Sequence, residues 1–384
     1  MSEVRVNNLS NENNTGGPTI SGITTYSGKN FFVPPQGDTA SRPSDCEPGS
    51  LRFNTDSAHL EYFKGNTIGW VEIEAELTAP LGGGTGSNIG LGARALFTGG
   101  QAPGDTDTID FITISTLGNA QDFGEFAGTD RGFGGGASSR TRALFMGGYT
   151  GSAQNDIDFN IFASLGNSTD FGNLTSSKGR PKGMAADQVR ALFAGGDQQP
   201  STRAVDFIDY VTMAQEGNAV DFGDLTDGCR SGTNSTMGSS TRGVFPGGNE
   251  HPSRVANIDF VTVATLGNAS DFGDLTSAHS NMGAFSNSTR GVIGGGQNPS
   301  DTNVMEFVTI ASTGNATDFG DKTNSVEQVT GASDPTRGVF AGGNPFTNVI
   351  DFITILTTGN ATDFGDLTDA RRGTAGASNG HGGL

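Results

Sequence analysis

From residue 94 onward, short apolar runs alternate with polar turns in one fixed order, six times over. Each unit opens with an arginine, three mostly apolar residues, a variable residue and two glycines, as in Arg94-Ala95-Leu96-Phe97-Thr98-Gly99-Gly100. A loop of varied sequence follows, then a run such as Ile350-Asp351-Phe352-Ile353-Thr354-Ile355. A Gly-Asn pair and an Asp-Phe-Gly box come next, with boxes beginning at Asp122, Asp170, Asp221, Asp271, Asp318 and Asp363. Runs this rich in β-branched and aromatic residues, bounded by Gly and Asn, predict strands. Each unit is expected to supply four: the arginine strand, the Ile-Asp-Phe strand, the box strand (Thr362 to Leu367 in the last unit) and a small Gly/Ala-rich strand such as Gly373 to Ser378. The Gly-Gly pair permits a turn with positive φ, and Gly-Asn reads as a two-residue hairpin turn. Apolar residues on both faces of the strands predict sheets that each pack against two neighbours.

The unit arginines, Arg94, Arg142, Arg190, Arg242, Arg290 and Arg337, are 48, 48, 52, 48 and 47 residues apart. A period near fifty marks a propeller or solenoid. A solenoid needs distinct capping repeats, and here the first and last units read like the middle ones. A closed ring is therefore expected, with an open β-solenoid as the alternative. Closure would come from Gly373 to Ser378 joining the sheet that begins at Arg94.

Residues 1–77 hold no copy of the unit and contain the single Trp, Trp70. They read as a small antiparallel module, with runs at Leu51-Arg52-Phe53-Asn54, His59-Leu60-Glu61-Tyr62-Phe63 and Trp70-Val71-Glu72-Ile73. A module of this size buries little surface, so a partner or an oligomer is expected. Residues 78–93 are a Gly-rich linker and 94–384 the repeat region.

Composition narrows the function. Gly takes 61 of 384 positions, but 26 Phe at fixed offsets argue for a core rather than disorder. A net charge of −19 makes nucleic acid a poor partner, because phosphate binding needs clustered Lys and Arg. No apolar run reaches membrane-spanning length. Cys46 and Cys229 lack metal-ligand spacing, and His59, His251, His279 and His381 are scattered, so neither a zinc site nor a nucleophilic triad is indicated. Six near-equivalent units lack the single asymmetric carboxyl pair of a glycosidase. No cofactor is expected, although Gly104-Asp105-Thr106-Asp107 is an oxygen-rich loop of the kind that takes Ca²⁺.

Both charge signs recur in every unit. The arginines and the acids Asp110, Asp158, Asp206, Asp259, Glu306 and Asp351 are expected to form structural ion pairs or carboxylate–backbone bonds, within and between sheets. Strands barely change between copies, whereas the loops after Gly-Gly and after the box vary freely. Both loop sets should share one side, and loops on a rigid scaffold are where binding sits. Tyr149, Gln198, Gln199, His251, Gln297 and Phe346 are the expected contact residues.

The order of small strand, apolar strand ending in Gly-Gly, varied loop and two aromatic strands resembles the kelch repeat of β-propellers. Phe111, Phe159, Phe207, Phe260, Phe307 and Phe352 stand where kelch units carry Tyr, and the box Phe replaces the kelch Trp. The resemblance implies an all-β, six-bladed propeller with four-stranded blades. The wording Arg-Gly-Val-Phe-x-Gly-Gly, Asp-Phe-Ile-Thr-Ile and Thr-Gly-Asn-Ala-Thr-Asp-Phe-Gly-Asp-Leu-Thr is similar to virion structural proteins of marine tailed phages. So is Gly-Ser-Leu-Arg-Phe-Asn-Thr with Leu-Glu-Tyr-Phe and Trp-Val-Glu-Ile in the first 77 residues. This second resemblance implies a non-enzymatic tail-fibre or other appendage protein, made in the host cytoplasm and carried on the virion. It would attach to other virion proteins through residues 1–77, form a homo-oligomer (a trimer by preference) and bind a host-surface glycan or protein. A decoration or assembly protein without a receptor, and a glycan-degrading tailspike, are the alternatives.

Overall fold

A computed structural model describes residues 34–44, 46–57, 59–73, 93–128, 130–198, 203–250 and 252–384. The run Val4-Arg5-Val6-Asn7-Asn8-Leu9, whose alternation predicts a short opening strand, and the linker up to residue 92 lie outside them. The chain divides into two units, Met1–Ala75 and Glu76–Leu384. Among the described residues every regular element is a strand.

The first unit is a four-stranded sheet. Leu51–Asn54, His59–Phe63 and Trp70–Ile73 form the expected antiparallel meander, and Gln36–Gly37 adds in parallel beside Leu51–Asn54. One face carries a polar network instead of a core. Glu61 is fully buried between the Arg42 guanidinium and the Asn54 amide, and Arg42 holds its carboxyl below the usual range.

The second unit contains five four-stranded antiparallel sheets and one three-stranded sheet, a β-propeller-like arrangement. In chain order of their arginine strands we label them I to VI. Sheet I is Ala375–Ser378, Arg94–Thr98, Thr108–Thr113 and Gln121–Glu125; sheet II is Gly135–Ser138, Arg142–Met146, Asp156–Ile161 and Thr169–Asn173. Sheet III is Gly183–Ala186, Arg190–Ala194, Phe207–Thr212 and Val220–Asp224. Sheet IV is Arg242–Pro246, Asn257–Thr262 and Ser270–Asp274. Sheet V is Gly283–Ser286, Arg290–Gly294, Val304–Thr309 and Thr317–Asp321; sheet VI is Thr330–Ser333, Arg337–Ala341, Val349–Thr354 and Thr362–Asp366.

The small strand that ends one sequence unit thus belongs to the next sheet. Sheet I receives its small strand from the far end of the repeat region, with Ser378 opposite Ala95 and Ala375 opposite Thr98. Arg94 N donates to Asn379 Oδ1, as Arg290 N does to Asn287 Oδ1 and Arg337 N to Asp334 Oδ1. The distant segment therefore reproduces the local turn of the other sheets.

Apolar side chains collect between sheets. One cluster joins Leu96, Ile109 and Phe123 of sheet I to Ala143 and Phe145 of sheet II. Equivalent clusters join each successive pair, and another joins Val339 and Phe364 of sheet VI to Phe97 and Ile112 of sheet I. Both faces of each sheet are buried in this way, which is why the strands read as nearly continuous apolar runs.

The recurring turn corrects one expectation. Seven residues, 114–120, separate the central and box strands of sheet I, so Gly-Asn is not a two-residue hairpin. Its role is to cap the neighbouring sheet. Gly166 N and Ser168 N of sheet II donate to Phe123 O and Glu125 O on the outer strand of sheet I, and Asn167 Oδ1 accepts from Glu125 N. Gly118, Ala120 and Asn119 make the same bonds to Phe364, Asp366 and Asp366 N of sheet VI. An outer strand would otherwise offer unpaired backbone groups to other chains. The box glycine follows from the same contact. At Gly124 φ is +150°, and a Cβ would stand 2.5 Å from the Gly166 carbonyl.

Candidate functional site

The recurring charges build the scaffold, in a different pairing from the one expected. Strand register places Arg94 opposite Thr113 and Asp110 opposite Phe97, so the unit arginine and acid lie apart. Each arginine Nη1 instead donates to a carbonyl of the next sheet. Arg94 reaches Phe162 O, Arg142 Met213 O, Arg190 Val263 O, Arg242 Ile310 O, Arg290 Ile355 O and Arg337 Ile114 O, at 2.7–3.2 Å. Each guanidinium also lies 4.1–5.1 Å from the centre of its own sheet's central-strand ring, a cation–π contact.

The acids pair with cations supplied by the loops after the boxes. Asp110 pairs with Arg371, Asp158 with Arg131, Asp259 with Lys182, and Asp351 with Lys322, while His279 stands 3.7 Å from Glu306. In sheet III the acid is Asp209, opposite Phe193 and paired with Lys178, and the ring is Tyr210. Asp206 and Phe207, singled out by the sequence, sit before this position, and Asp206 is exposed. Burial pushes the Lys178 ammonium down to about 8 despite Asp209. Cys229 occupies the place held by Lys178 one unit earlier. Burial pushes its thiol up to about 11, so it is inert as a nucleophile.

The two varied loop sets do meet. Gln101 bridges to Arg372, Tyr149 to Gly132, Asp197 to Gly179, Asn249 to Arg230, Gln297 to Ser280 and Asn344 to Glu327, each residue after Gly-Gly pairing with the preceding sheet's loop. Inside these bridges lies a cycle of backbone hydrogen bonds. Phe133 N donates to Gly373 O, Gly373 N to Gln328 O, Gln328 N to Asn281 O, Asn281 N to Ser231 O, Ser231 N to Arg180 O, and Arg180 N to Phe133 O, at 2.6–2.9 Å. The five non-glycine members have φ between 50° and 60°. Such left-handed conformations are costly for L-residues and persist where the surroundings over-determine them.

Around this cycle the side chains are polar and aromatic. Arg180 lies over both the Phe133 and Tyr149 rings and pairs with Asp197. Arg230 pairs with the same buried carboxylate, which also accepts from the Tyr149 hydroxyl. Tyr149 is 8% exposed, so it supports the site from below and is not the contact residue the sequence indicated. Gln198 donates to Ser176 Oγ, Gln297 accepts from Arg254, and Phe346, 43% exposed, lies over Arg372. Gln199 and His251 fall outside the described residues. Sequence reading missed Phe133, Arg180, Ser231, Asn281 and Gln328. They share a backbone conformation and no side-chain type, so no residue pattern marks them.

The centre, where the small strands converge, is filled by the chain itself. Sheet IV lacks a regular small strand because Ser231 to Arg242 spans two residues more than Asn281 to Arg290. The segment Thr233–Met237 runs between the other small strands. Asn234 O accepts from Gly136 N, Ser235 Oγ donates to Ala284 O and accepts from Gly331 N, and Met237 N donates to Met184 O. Toward the end that carries the Gly-Asn turns and the strand-opening arginines, the hairpin side, Asn379–Gly383 are buried. His381 Nε2 donates to Ser138 O and Nδ1 accepts from Gly383 N; burial pushes its pKa down to about 4.

Open cavities lie on the hairpin side, away from the varied loops. One of about 460 Å³ is lined by Phe111, Thr113, Thr116, Leu117, Asn119 and Gln121. Equivalent cavities of about 270 Å³ occur at Phe260 to Ser270 and Phe352 to Thr362. Among the described residues no three His, Cys, Asp or Glu side chains converge to hold a metal. No family model matches the chain, and no curated protein matches it significantly.

Proposed function

We propose that the chain is a six-bladed, kelch-like β-propeller carried on an N-terminal attachment module, and that it serves as a non-enzymatic structural protein of a phage virion appendage. The propeller presents its varied-loop side to a host-surface glycan or protein. The cyclic order of inter-sheet bonds, with sheet VI joined to sheet I by Arg337 and by the Val339–Phe97 cluster, supports the six-bladed reading. The observation that carries the binding reading is the contrast within each unit. Turns and boxes are constant because each turn caps the box strand of the preceding sheet, whereas Gln198, Gln297 and Phe346 sit on loops whose residues change from unit to unit. A rim of amides, hydroxyls, guanidinium groups and aromatic rings suits hydroxyl-rich ligands. The test is an array of bacterial surface glycans probed with the full chain. Retention that falls with Phe346→Ala and Gln297→Ala, while Leu117→Ser leaves it unchanged, is the expected result. No retention on any glycan or on whole host cells removes the receptor role and leaves the decoration reading.

A further inference from the structure

We propose that the hairpin side of the second unit is a docking surface for a separate protein that presents apolar side chains flanked by lysines or arginines. Three observations converge there. The first is apolar exposure. Of the eight large hydrophobic side chains exposed among this unit's described residues, only Phe346 lies on the varied-loop side. Leu117, Leu165 and Leu266 project from turn tips, 53–61% exposed. Ile161, Val189, Val220 and Leu356 stand at strand ends or turns beside them. A concentration of this kind on one side of a soluble fold marks an interaction surface.

The second is an unused recurring group. The box aspartates begin the outer strands at this side and are exposed in all six sheets. Each sits directly opposite the buried acid of the central strand, Asp122 against Asp110 and Asp170 against Asp158. Like charges opposed across a strand pair destabilise a sheet. In five sheets the inner acid is neutralised by a Lys or Arg partner, and in sheet V, where burial holds His279 below its ordinary pKa, Glu306 accepts from Thr276 N; the box aspartate forms no ion pair among the described residues. Apart from Asp221, whose charge favours the buried Lys178 ammonium, no ion pair among the described residues offsets this repulsion. The third is room. The cavities at Leu117, Leu266 and Thr358 are large enough to take an inserted apolar side chain.

Charge selects the occupant. The six unit arginines at this end are half-buried and held by a carbonyl and a ring, so a second copy would set the exposed box aspartates against one another. A partner with a basic rim gains at every box instead, because complementary charges steer and fix an interface whose centre is apolar. This inference does not depend on the receptor reading, since it concerns the opposite side of the unit.

The test uses the full chain and an amphipathic Leu/Lys peptide as probe, with a Leu/Glu peptide of the same pattern as control, followed by fluorescence anisotropy at low salt. One variant carries Leu117→Ser, Leu165→Ser and Leu266→Ser. A second carries Asp122→Asn, Asp170→Asn and Asp318→Asn. A third neutralises three acids on the varied-loop side, Asp105→Asn, Asp130→Asn and Asp301→Asn. All these side chains are at least partly exposed, so parental melting curves are required of each variant. The first two variants are expected to weaken Leu/Lys binding by at least about tenfold, and the third by less than about twofold. Equal losses from the second and third variants would reduce the effect to net charge and overturn the proposal. So would unchanged binding in the leucine variant, or a concentration-dependent dimer that the leucine variant abolishes.

Discussion

Acid should loosen this protein through His381, and the size of the effect follows from the ring's surroundings. Nε2 must carry a proton to donate to Ser138 O, and Nδ1 must be bare to accept from Gly383 N. A second proton on Nδ1 would confront the Gly383 N–H with no solvent to spread the charge. Burial therefore holds the folded pKa at about 4, below the ordinary 6.5, against the opposing pull of the Ser138 hydrogen bond and of Asp187. In the unfolded chain the ring takes up its proton below pH 6.5, while in the folded chain it stays neutral until about pH 4. The group's contribution is thus full above pH 6.5 and is lost as the pH falls toward 4. A difference of about two to three units corresponds to about 3 kcal/mol, most of which is already lost at pH 4.5. Urea unfolding of the parent and of His381→Gln at pH 7 and pH 4.5 isolates this, because carboxylate titrations common to both chains cancel. The parent should lose about 2–3 kcal/mol more than the variant between the two pH values. Equal losses would refute the argument that a neutral, doubly bonded ring closes this end of the fold.

Three further outcomes are expected. Deleting residues 370–384 removes the strand paired with Arg94–Thr98, and differential scanning calorimetry should record a sharply lower melting temperature. Lys322→Met leaves the buried Asp351 carboxylate without its cation and should cost about 3–5 kcal/mol in chemical denaturation, with much of the loss restored by adding Asp351→Leu. Gly124→Ala forces a Cβ against the Gly166 carbonyl in a positive-φ position and should cost at least about 2 kcal/mol, whereas Gly104→Ala, which meets nothing within 4 Å, should be nearly neutral in the same melts.

The strands were legible because their signal is local: apolar runs of fixed spacing, ended by glycines. The closing strand, Ala375–Ser378, was legible too, since it repeats the small Gly/Ala-rich run that opens sheets II, III, V and VI. Pairing was harder to read. Val205-Asp206-Phe207 imitates the recurring acid and ring, and only register reveals that Asp209 and Tyr210 hold those positions. The arginine's target could not be read at all, because it is a main-chain carbonyl of another sheet and carbonyls carry no letter. The same holds for the cycle from Phe133 to Gly373. On the varied-loop side the sequence located the loops correctly, yet Tyr149 proved to be packed beneath the rim. Variation between copies does not separate a residue that meets solvent from one that supports its neighbour.

The pairing of Ser378 with Ala95 also sets an order on folding. Sheets II, III, V and VI can each be assembled from a stretch of about forty residues, so their contacts are local and fast to search. Sheet I cannot be completed until a segment 285 positions away has arrived. Closing a loop of that length costs about 5 kcal/mol of chain entropy by the logarithmic rule, and interactions so distant in sequence slow the search. Until then Arg94–Thr98 presents an open strand edge beside finished sheets. The interval before closure is the period in which an emerging chain is most exposed to pairing with another copy of itself.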